Sequence, residues 1–226
     1  MNDTLLTALA LIPALVIAIV LHEVAHGWTA LALGDPTAKE RKRLTLNPMR
    51  HVDPIGTLVL PGVLALSGLP VFGWAKPVPV IKQRLRNPRF GMMAVAAAGP
   101  ATNLVLAVIG AVAFGLMWRA GLPAEGATGF AAASLQLFIA INVFLALFNL
   151  LPLPPFDGSH IVEGLLPPRA AQFYNKARPF GFPLLFLLLL VIPYFFPELG
   201  IIERVVAPPF VWVLERFDSI SRWVAG

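Results

Sequence analysis

The sequence predicts an all-α polytopic membrane protein, and composition, apolar stretches and charge distribution all point to this class. Of the 226 residues, 58% are hydrophobic and only 13% are charged, and the mean hydropathy is +0.77. Four stretches lack charged residues or nearly so, and a helix needs about 20 apolar residues to cross a bilayer. The basic residues cluster between these stretches. This composition excludes a disordered chain and is unlike that of an ordinary soluble enzyme.

The apolar stretches predict three core membrane helices and a fourth span nearer the C-terminus. The first stretch is interrupted by a short polar cluster but continues beyond it, so we expect it to remain a span rather than end in a cleavage site. The fourth contains two prolines and is less regular. We predict one integral membrane domain over residues 1–226, with its core in 1–166 and membrane or interfacial helices in 167–226. The four stretches are 5–33, 90–118, 126–156 and 180–197.

Two further segments do not fit a simple series of spans. Residues 55–71 are apolar, yet basic residues flank them on both sides and Pro61-Gly62 interrupts them. A re-entrant or interfacial hairpin satisfies both facts, whereas a true crossing would invert the topology of everything that follows. Residues 205–214 are too short to cross alone, and the charged residues around them indicate an amphipathic interfacial helix.

The charges set the predicted orientation. The chain has 17 Lys and Arg against 12 Asp and Glu, a net charge of +5. Most of the basic residues lie in 39–50, 76–89 and 169–178, which can all face one side, and basic loops favour the cytoplasmic side. The positive charge is thereby explained by topology, and no nucleic-acid partner is predicted. No organellar targeting signal is evident, which fits a prokaryotic plasma membrane. There is no cysteine, so disulfides and thiolate metal sites are excluded.

The first span carries the motif His22-Glu23-Val24-Ala25-His26. Residues four apart share a helix face, so the two imidazoles can converge on one metal ion while Glu23 can take a proton from its water. This is the HExxH pattern of zinc hydrolases. The alternative without a function is a helix end at the membrane–water interface, where these His and Glu side chains are simply solvated. The motif lies about two-thirds along the apolar run, where ionisable groups are costly and indicate function.

A third protein ligand is needed to complete a catalytic zinc site. Asp157 is favoured because Pro152, Pro154 and Pro155 end the third span just before it, near the same membrane face as His26, and Gly158 allows a tight turn after it. His160, three residues further on, remains a competing ligand, and a distant Glu is also open. His51 lies in a basic loop, where solvation or local packing is the expected role.

Three asparagines lie within the predicted spans and need polar partners there. Asn103 follows the helix-bending pair Gly99-Pro100 and could bind a substrate backbone or an oxyanion, or could fasten two helices together. Asn142 and Asn149 are seven residues apart on one helix face. A structural role is as plausible as a functional one for Asn142.

Taken together, HEVAHG at 22–27, AGPATN at 98–103 and NLLPLPPFDG at 149–158 resemble the site-2 protease family of intramembrane zinc metalloproteases. The resemblance covers nearly all of the first 166 residues. It implies one Zn²⁺ bound by His22, His26 and Asp157, with Glu23 as the general base. It also implies substrate-binding or oxyanion roles for Asn103 and Asn149.

Residues 71–80 are similar to the corresponding part of the compact family members that lack a PDZ domain. Their alternating pattern predicts a short strand near the site, with which an unwound substrate helix could pair.

The function expected from these motifs is hydrolysis of a peptide bond in or near a transmembrane helix of a membrane-protein substrate, in regulated intramembrane proteolysis. The partners are that substrate and the lipid bilayer, and the oligomeric state is not predicted. An intramembrane metal transporter is the first alternative, and its signature would be further ligands along several spans. A non-catalytic homologue that only binds membrane helices is the second, and the intact Glu23 argues against it.

Overall fold

The computed structural model describes residues 3–67, 73–123, 125–200 and 202–226. These residues form helices joined by turns and extended segments, and no strand occurs among them. The α-helices, in chain order, are α1 (Asp3–Ala32), α2 (Thr37–Glu40), α3 (Leu60–Leu66), α4 (Pro88–Arg119), α5 (Gly126–Asn149), α6 (Asp157–Leu165), α7 (Pro168–Ala177), α8 (Gly181–Phe186), α9 (Ile192–Phe195) and α10 (Ala207–Ala225).

Four helices are long and apolar enough to cross a membrane, which confirms the predicted all-α polytopic class. Three of them are Leu5–Ala32 within α1, together with α4 and α5. The fourth candidate, Pro168–Phe195, begins earlier than the sequence indicated, because α7 continues through short helical turns into α8 and α9. π-helical turns between α8 and α9 accommodate the irregularity that its prolines introduce.

The bundle core lies where α4 packs against α1 and α5. Small residues on α4 allow this close approach. A Cβ on Gly110, for example, would lie only 2.9 Å from the side chain of Ile139. Ala107, Ala111 and Val143 are fully buried at the same contact. Small residues of α4 therefore form the surface that packs against α5.

The C-terminal helix α10 packs along α4 and α5. The sequence predicted an amphipathic interfacial helix at 205–214, and its location at the membrane surface stays a prediction. Phe217 belongs to the bundle core, and the buried Ser221 donates a hydrogen bond to the Ala111 carbonyl. A Cβ on Gly115 would collide with the backbone carbonyl of Ser221. Polar side chains on the outer face of α10 are the reason that the sequence predicted an interfacial helix.

The segment after α2 folds back on itself, as the predicted hairpin requires. A π-helical turn (Pro54–Val59) leads into α3, and together they are too short to span a bilayer. The chain then returns to its starting level, because the Trp74 amide donates to the Gly56 carbonyl at 3.1 Å and the Lys76 amide to the His51 carbonyl at 2.8 Å. Residues 68–72 lie outside the described residues. The two hydrogen-bonded ends establish the hairpin.

The short strand predicted over 71–80 is not formed in the part described, 73–80. This segment is extended, but Pro77 and Pro79 lack the amide protons that a ladder needs, and the described residues contain no strand that could pair with it. Its ordered amides bond instead to a loop and to a side chain of α1. The strand prediction was therefore wrong for residues 73–80, although the extended conformation behind it was right.

Candidate metal centre and active site

Helices α1 and α6 bring together three potential metal ligands. His22 Nε2 lies 3.1 Å from Asp157 Oδ2, and His26 Nε2 lies 3.3 Å from the same oxygen. The ligand atoms of all three residues lie within 4.8 Å of one another. Bonds of 2.0–2.1 Å around a tetrahedral zinc ion place neighbouring ligand atoms about 3.3 Å apart. The spacing therefore fits three corners of a tetrahedron.

The outer nitrogens of both imidazoles are held by hydrogen bonds, which orients the inner ones. His26 Nδ1 lies 2.7 Å from the Val95 carbonyl, which can only accept, so this nitrogen carries the proton. His22 Nδ1 lies 2.6 Å from Asn103 Oδ1. The amide orientation of Asn103 follows from its Nδ2, which faces the Ala18 carbonyl at 3.2 Å. Both Nε2 atoms thus present lone pairs toward Asp157, as metal-ligating histidines do.

Two glycines make room for this arrangement. A Cβ on Gly99 of α4 would lie 2.5 Å from Nε2 of both His22 and His26, so only glycine leaves the ligand space open. A Cβ on Gly158 would overlap the carbonyl oxygens of Leu150 and Leu151. The sequence suggested a tight turn at Gly158. The structure shows instead a close approach of the first turn of α6 to the end of α5, which seats Asp157 against α1.

Glu23 is held by the extended segment after the hairpin. The Val78 amide donates to Glu23 Oε2 at 2.7 Å. Two side chains fix this segment, because Arg43 donates to the Lys76 carbonyl at 2.7 Å and Asp35 accepts from the Ile81 amide at 2.6 Å. Asp35 is fully buried and also accepts from the amide and hydroxyl of Thr37. The Glu23 carboxylate therefore has a defined position beside the two histidines.

The other two histidines lie outside the metal cluster. His160 Nδ1 accepts a hydrogen bond from Arg178 at 2.9 Å, within a charged group that also contains Glu163. Burial and the adjacent Arg178 lower the pKa of His160. His51 is buried, and its Nε2 donates to the Thr45 carbonyl at 2.9 Å, so it packs locally rather than being solvated. Of the ligands left open by the sequence, geometry brings only Asp157 to the HExxH histidines among the described residues.

The three asparagines differ in their surroundings. Asn103 is fully buried, and its amide reaches His22, the Ala18 carbonyl and Asn142 Oδ1, the last at 2.9 Å. A substrate could reach it only by displacing these bonds. Asn142 is buried and extends the same chain of hydrogen bonds away from the metal ligands. Asn149 is half-buried at the end of α5, where its Nδ2 donates to the Leu145 carbonyl.

Sequence reasoning missed several residues that position this site. Val95 and Val78 act through backbone groups, which leave no trace in a motif. Arg43 was considered only as one of the basic loop residues, and Asp35 was not singled out. Their burial inside a polar loop was not readable from hydropathy.

The fold and this site indicate a class of protein: an integral membrane protein with an HExxH helix and a distant carboxylate placed where a third metal ligand would be needed. Comparison with known proteins then shows to which family the chain belongs. The profile of peptidase family M50 matches residues 124–192. A relative in Bacillus subtilis (strain 168), named "Putative zinc metalloprotease YwhC", is 42% identical over 200 residues, 85% of this chain and 87% of the relative. The chain belongs to peptidase family M50, the site-2 protease family.

More distant relatives carry the name "Putative zinc metalloprotease Rip2". The one in Mycolicibacterium smegmatis is 34% identical over 76% of this chain and 63% of its own length, so the chain spans a little under two thirds of that relative. The one in Mycobacterium tuberculosis (strain H37Rv) is 30% identical over 90% of this chain and 78% of its own length. No solved structure matches the chain.

Proposed function

We propose that this membrane metalloprotease is an intramembrane zinc endopeptidase that cuts a peptide bond in or near a transmembrane helix of a membrane-protein substrate. One observation carries the proposal: three lone-pair-bearing atoms of His22, His26 and Asp157 converge inside a helix bundle. Such atoms repel one another unless a cation lies between them, and two imidazoles with one carboxylate are suitable zinc ligands. The donor set therefore fits a single Zn²⁺ with one position left for water.

The chain's own residues supply the proton chemistry. Zinc, when bound, polarises a peptide carbonyl and lowers the pKa of its water toward neutrality. Glu23 accepts the proton of the attacking water and then delivers it to the leaving amine. The Val78 amide holds Oε2 of Glu23, which fixes the carboxylate for both transfers. Asn103 keeps Nε2 of His22 directed at the ion.

Substrate contacts belong to the same proposal. Asn149 lies at the end of α5, just before the turn that leads to Asp157, and is more accessible than Asn103. We assign to it the substrate-binding or oxyanion role implied by the family motif. Asn103 acts on substrate only through His22. A substrate helix must unwind locally before cleavage, because its own hydrogen bonds shield the scissile carbonyl.

Charge distribution supports a cytoplasmic-facing site. Basic residues surround the hairpin and the loop before α4, and positive loops favour the cytoplasmic side. Asp157 and the hairpin both lie at this end of the bundle. We infer a prokaryotic plasma membrane as the setting, with water reaching the metal from the cytoplasm.

The metal-transporter alternative lacks structural support. Ion transport through a bundle needs successive ligand sets at different depths. In the part of the chain that the structure describes, His22, His26 and Asp157 form the only group able to hold a metal ion.

Replacement of the general base tests the proposal. We expect Glu23→Gln to keep one zinc per chain and to lose at least about 100-fold in cleavage rate, the usual contribution of general-base catalysis. Zinc content is measured on the detergent-purified protein. Cleavage is measured in liposomes against a library of tagged single-span membrane proteins.

Glu40→Gln is the matched control, since this carboxylate is exposed and pairs with Arg84 away from the metal ligands. It should retain full activity. Undiminished cleavage by the Glu23 variant would overturn the general-base assignment. Absence of cleavage by the zinc-loaded wild type across the whole library would favour the non-catalytic, helix-binding alternative.

A further inference from the structure

A polar cavity lies between the loop at 41–52 and the extended segment at 76–79, and it is lined by positive charge. Its volume is about 390 Å³, and four of its eight lining residues are cationic. No acidic residue lines it. The lining residues are Arg41, Arg43, Met49, Arg50, Val52, Lys76, Pro77 and Pro79.

The four cations have no carboxylate partner. Other basic residues form ion pairs, as Lys82 and Arg178 do with Glu163. None of the four lining cations forms an ion pair within the described ranges. Gathering like charges without counter-ions is unfavourable. Such an arrangement indicates that an anion from outside the chain completes it.

Arg43 points most clearly to a ligand. Its side chain is only 8% exposed, one terminal nitrogen donates to the Lys76 carbonyl, and its buried Nε has no partner in the structure's described residues. A buried guanidinium with an unused donor is costly unless an acceptor reaches it. Burial lowers its pKa, as does the nearby charge of Arg50, while the charge of Glu23 opposes both.

The surroundings of the cavity favour a lipid as the source of that anion. Met49, which lines the cavity, is 73% exposed, and Leu46 is 65% exposed on the same loop. The neighbouring hairpin exposes Ile55, Val63 and Leu66. Exposed apolar side chains beside basic ones are typical of a segment that lies at the headgroup level of a bilayer.

We propose that this cavity binds the phosphate group of an anionic phospholipid. The guanidinium groups of Arg41, Arg43 and Arg50 supply forked donors suited to phosphate oxygens, and Lys76 adds a point charge. Met49 and Val52 contact the apolar part of the lipid next to the headgroup.

A phosphate in this cavity contacts the segment that holds the general base. Lys76, Pro77 and Pro79 form one wall, and Val78 between the prolines donates to Glu23. A bound lipid thus bridges the loop at 41–50 and the extended segment. The effect on Glu23 rests on the proposed function, whereas lipid binding does not and is measured without any cleavage.

The test is titration of the purified, zinc-loaded protein with phosphatidylglycerol, followed by native mass spectrometry. Arg41→Gln with Arg50→Gln removes two exposed lining charges, and each basic residue near a membrane surface contributes about 1 kcal/mol, so affinity should fall about 30-fold. Arg86→Gln with Arg169→Gln is the matched control, since both side chains are exposed and outside the cavity. Its affinity should stay near that of the wild type.

Two further measurements distinguish a lipid phosphate from free inorganic phosphate as the bound anion. Phosphatidylcholine should bind far more weakly than phosphatidylglycerol, and inorganic phosphate should compete only at much higher concentration. Equal binding of the two lipids would overturn the proposal, as would equal losses in both double variants or saturation by inorganic phosphate alone. An acidic peptide that displaces the lipid at lower concentration would assign the cavity to a substrate and likewise overturn it. If the first double variant fails to fold, Lys76→Gln replaces it.

Discussion

Asn103, on α4, sets the orientation of the proposed metal ligand His22 on α1. One amide bonds to His22 Nδ1, to the Ala18 carbonyl and to Asn142, so its direction is fully determined. Replacement by alanine leaves His22 without a partner for its outer nitrogen. We expect Asn103→Ala to weaken zinc affinity about 10- to 100-fold, the usual effect of losing such a partner. Chelator competition on the purified protein measures it.

Asn149→Ala is the appropriate comparison, because this amide bonds to the Leu145 carbonyl and not to a metal ligand. Its zinc affinity should match the wild type, while its cleavage rate should fall if it binds substrate. Equal zinc loss in both variants would contradict the positioning role of Asn103.

The sequence left Asp157 and His160 as alternative candidates for the third metal ligand, and zinc content can distinguish them. Asp157→Ala removes an atom 3.1 Å from His22 Nε2, so the variant should purify without zinc. His160→Ala should keep one zinc, because that ring accepts from Arg178 instead. Metal analysis of the two purified variants decides between them. Loss of zinc in the His160 variant alone would show that the ligand set is wrong.

At the scale of elements, Asp35 fixes the extended segment that carries Val78. Burial alone would raise its pKa, but hydrogen bonds from Thr37 and Ile81 and the charge of Arg84 outweigh this and lower it. The folded-state pKa lies below the unfolded one. The stabilisation is therefore complete above the ordinary aspartate pKa of about 3.9 and is lost as pH falls through the lower, folded-state value.

We expect Asp35→Asn to lower the free energy of unfolding by about 1–3 kcal/mol at pH 7, since the charged acceptor is lost while its donors stay in place. The gap between variant and wild type should close as pH falls below about 4. Thermal unfolding in detergent across this pH range measures it. A gap that stays constant with pH would show that ionisation of Asp35 does not contribute.

Hydropathy and helical spacing were enough to predict α1, α4, α5 and the pairing of His22 with His26. Those features depend on residues close in sequence or on long uniform stretches. The position of α10 could not be predicted, because contacts such as Ser221 with Ala111 depend on packing between distant segments. The Glu23–Val78 hydrogen bond could not be predicted from the sequence either, because any residue except proline can supply a backbone amide.

For the whole molecule, the proposed orientation can be tested directly because the chain has no cysteine. A single cysteine at Leu122, between α4 and α5, should react with an impermeant maleimide in intact cells. Cysteines at Lys39 and at the exposed Leu165, which precedes the fourth candidate span, should react only after permeabilisation, because the hairpin topology places both positions on the cytoplasmic side. Labelling of positions 39 and 165 from opposite sides would mean that the segment after α2 crosses the membrane.

The metal ligands lie far apart along the chain, since 135 positions separate His22 from Asp157. A ribosome delivers α1 to the membrane long before α6 exists, so the nascent protein carries two histidines and no third ligand while α4 and α5 are being inserted. Hydrolytic competence can therefore arise only late in synthesis.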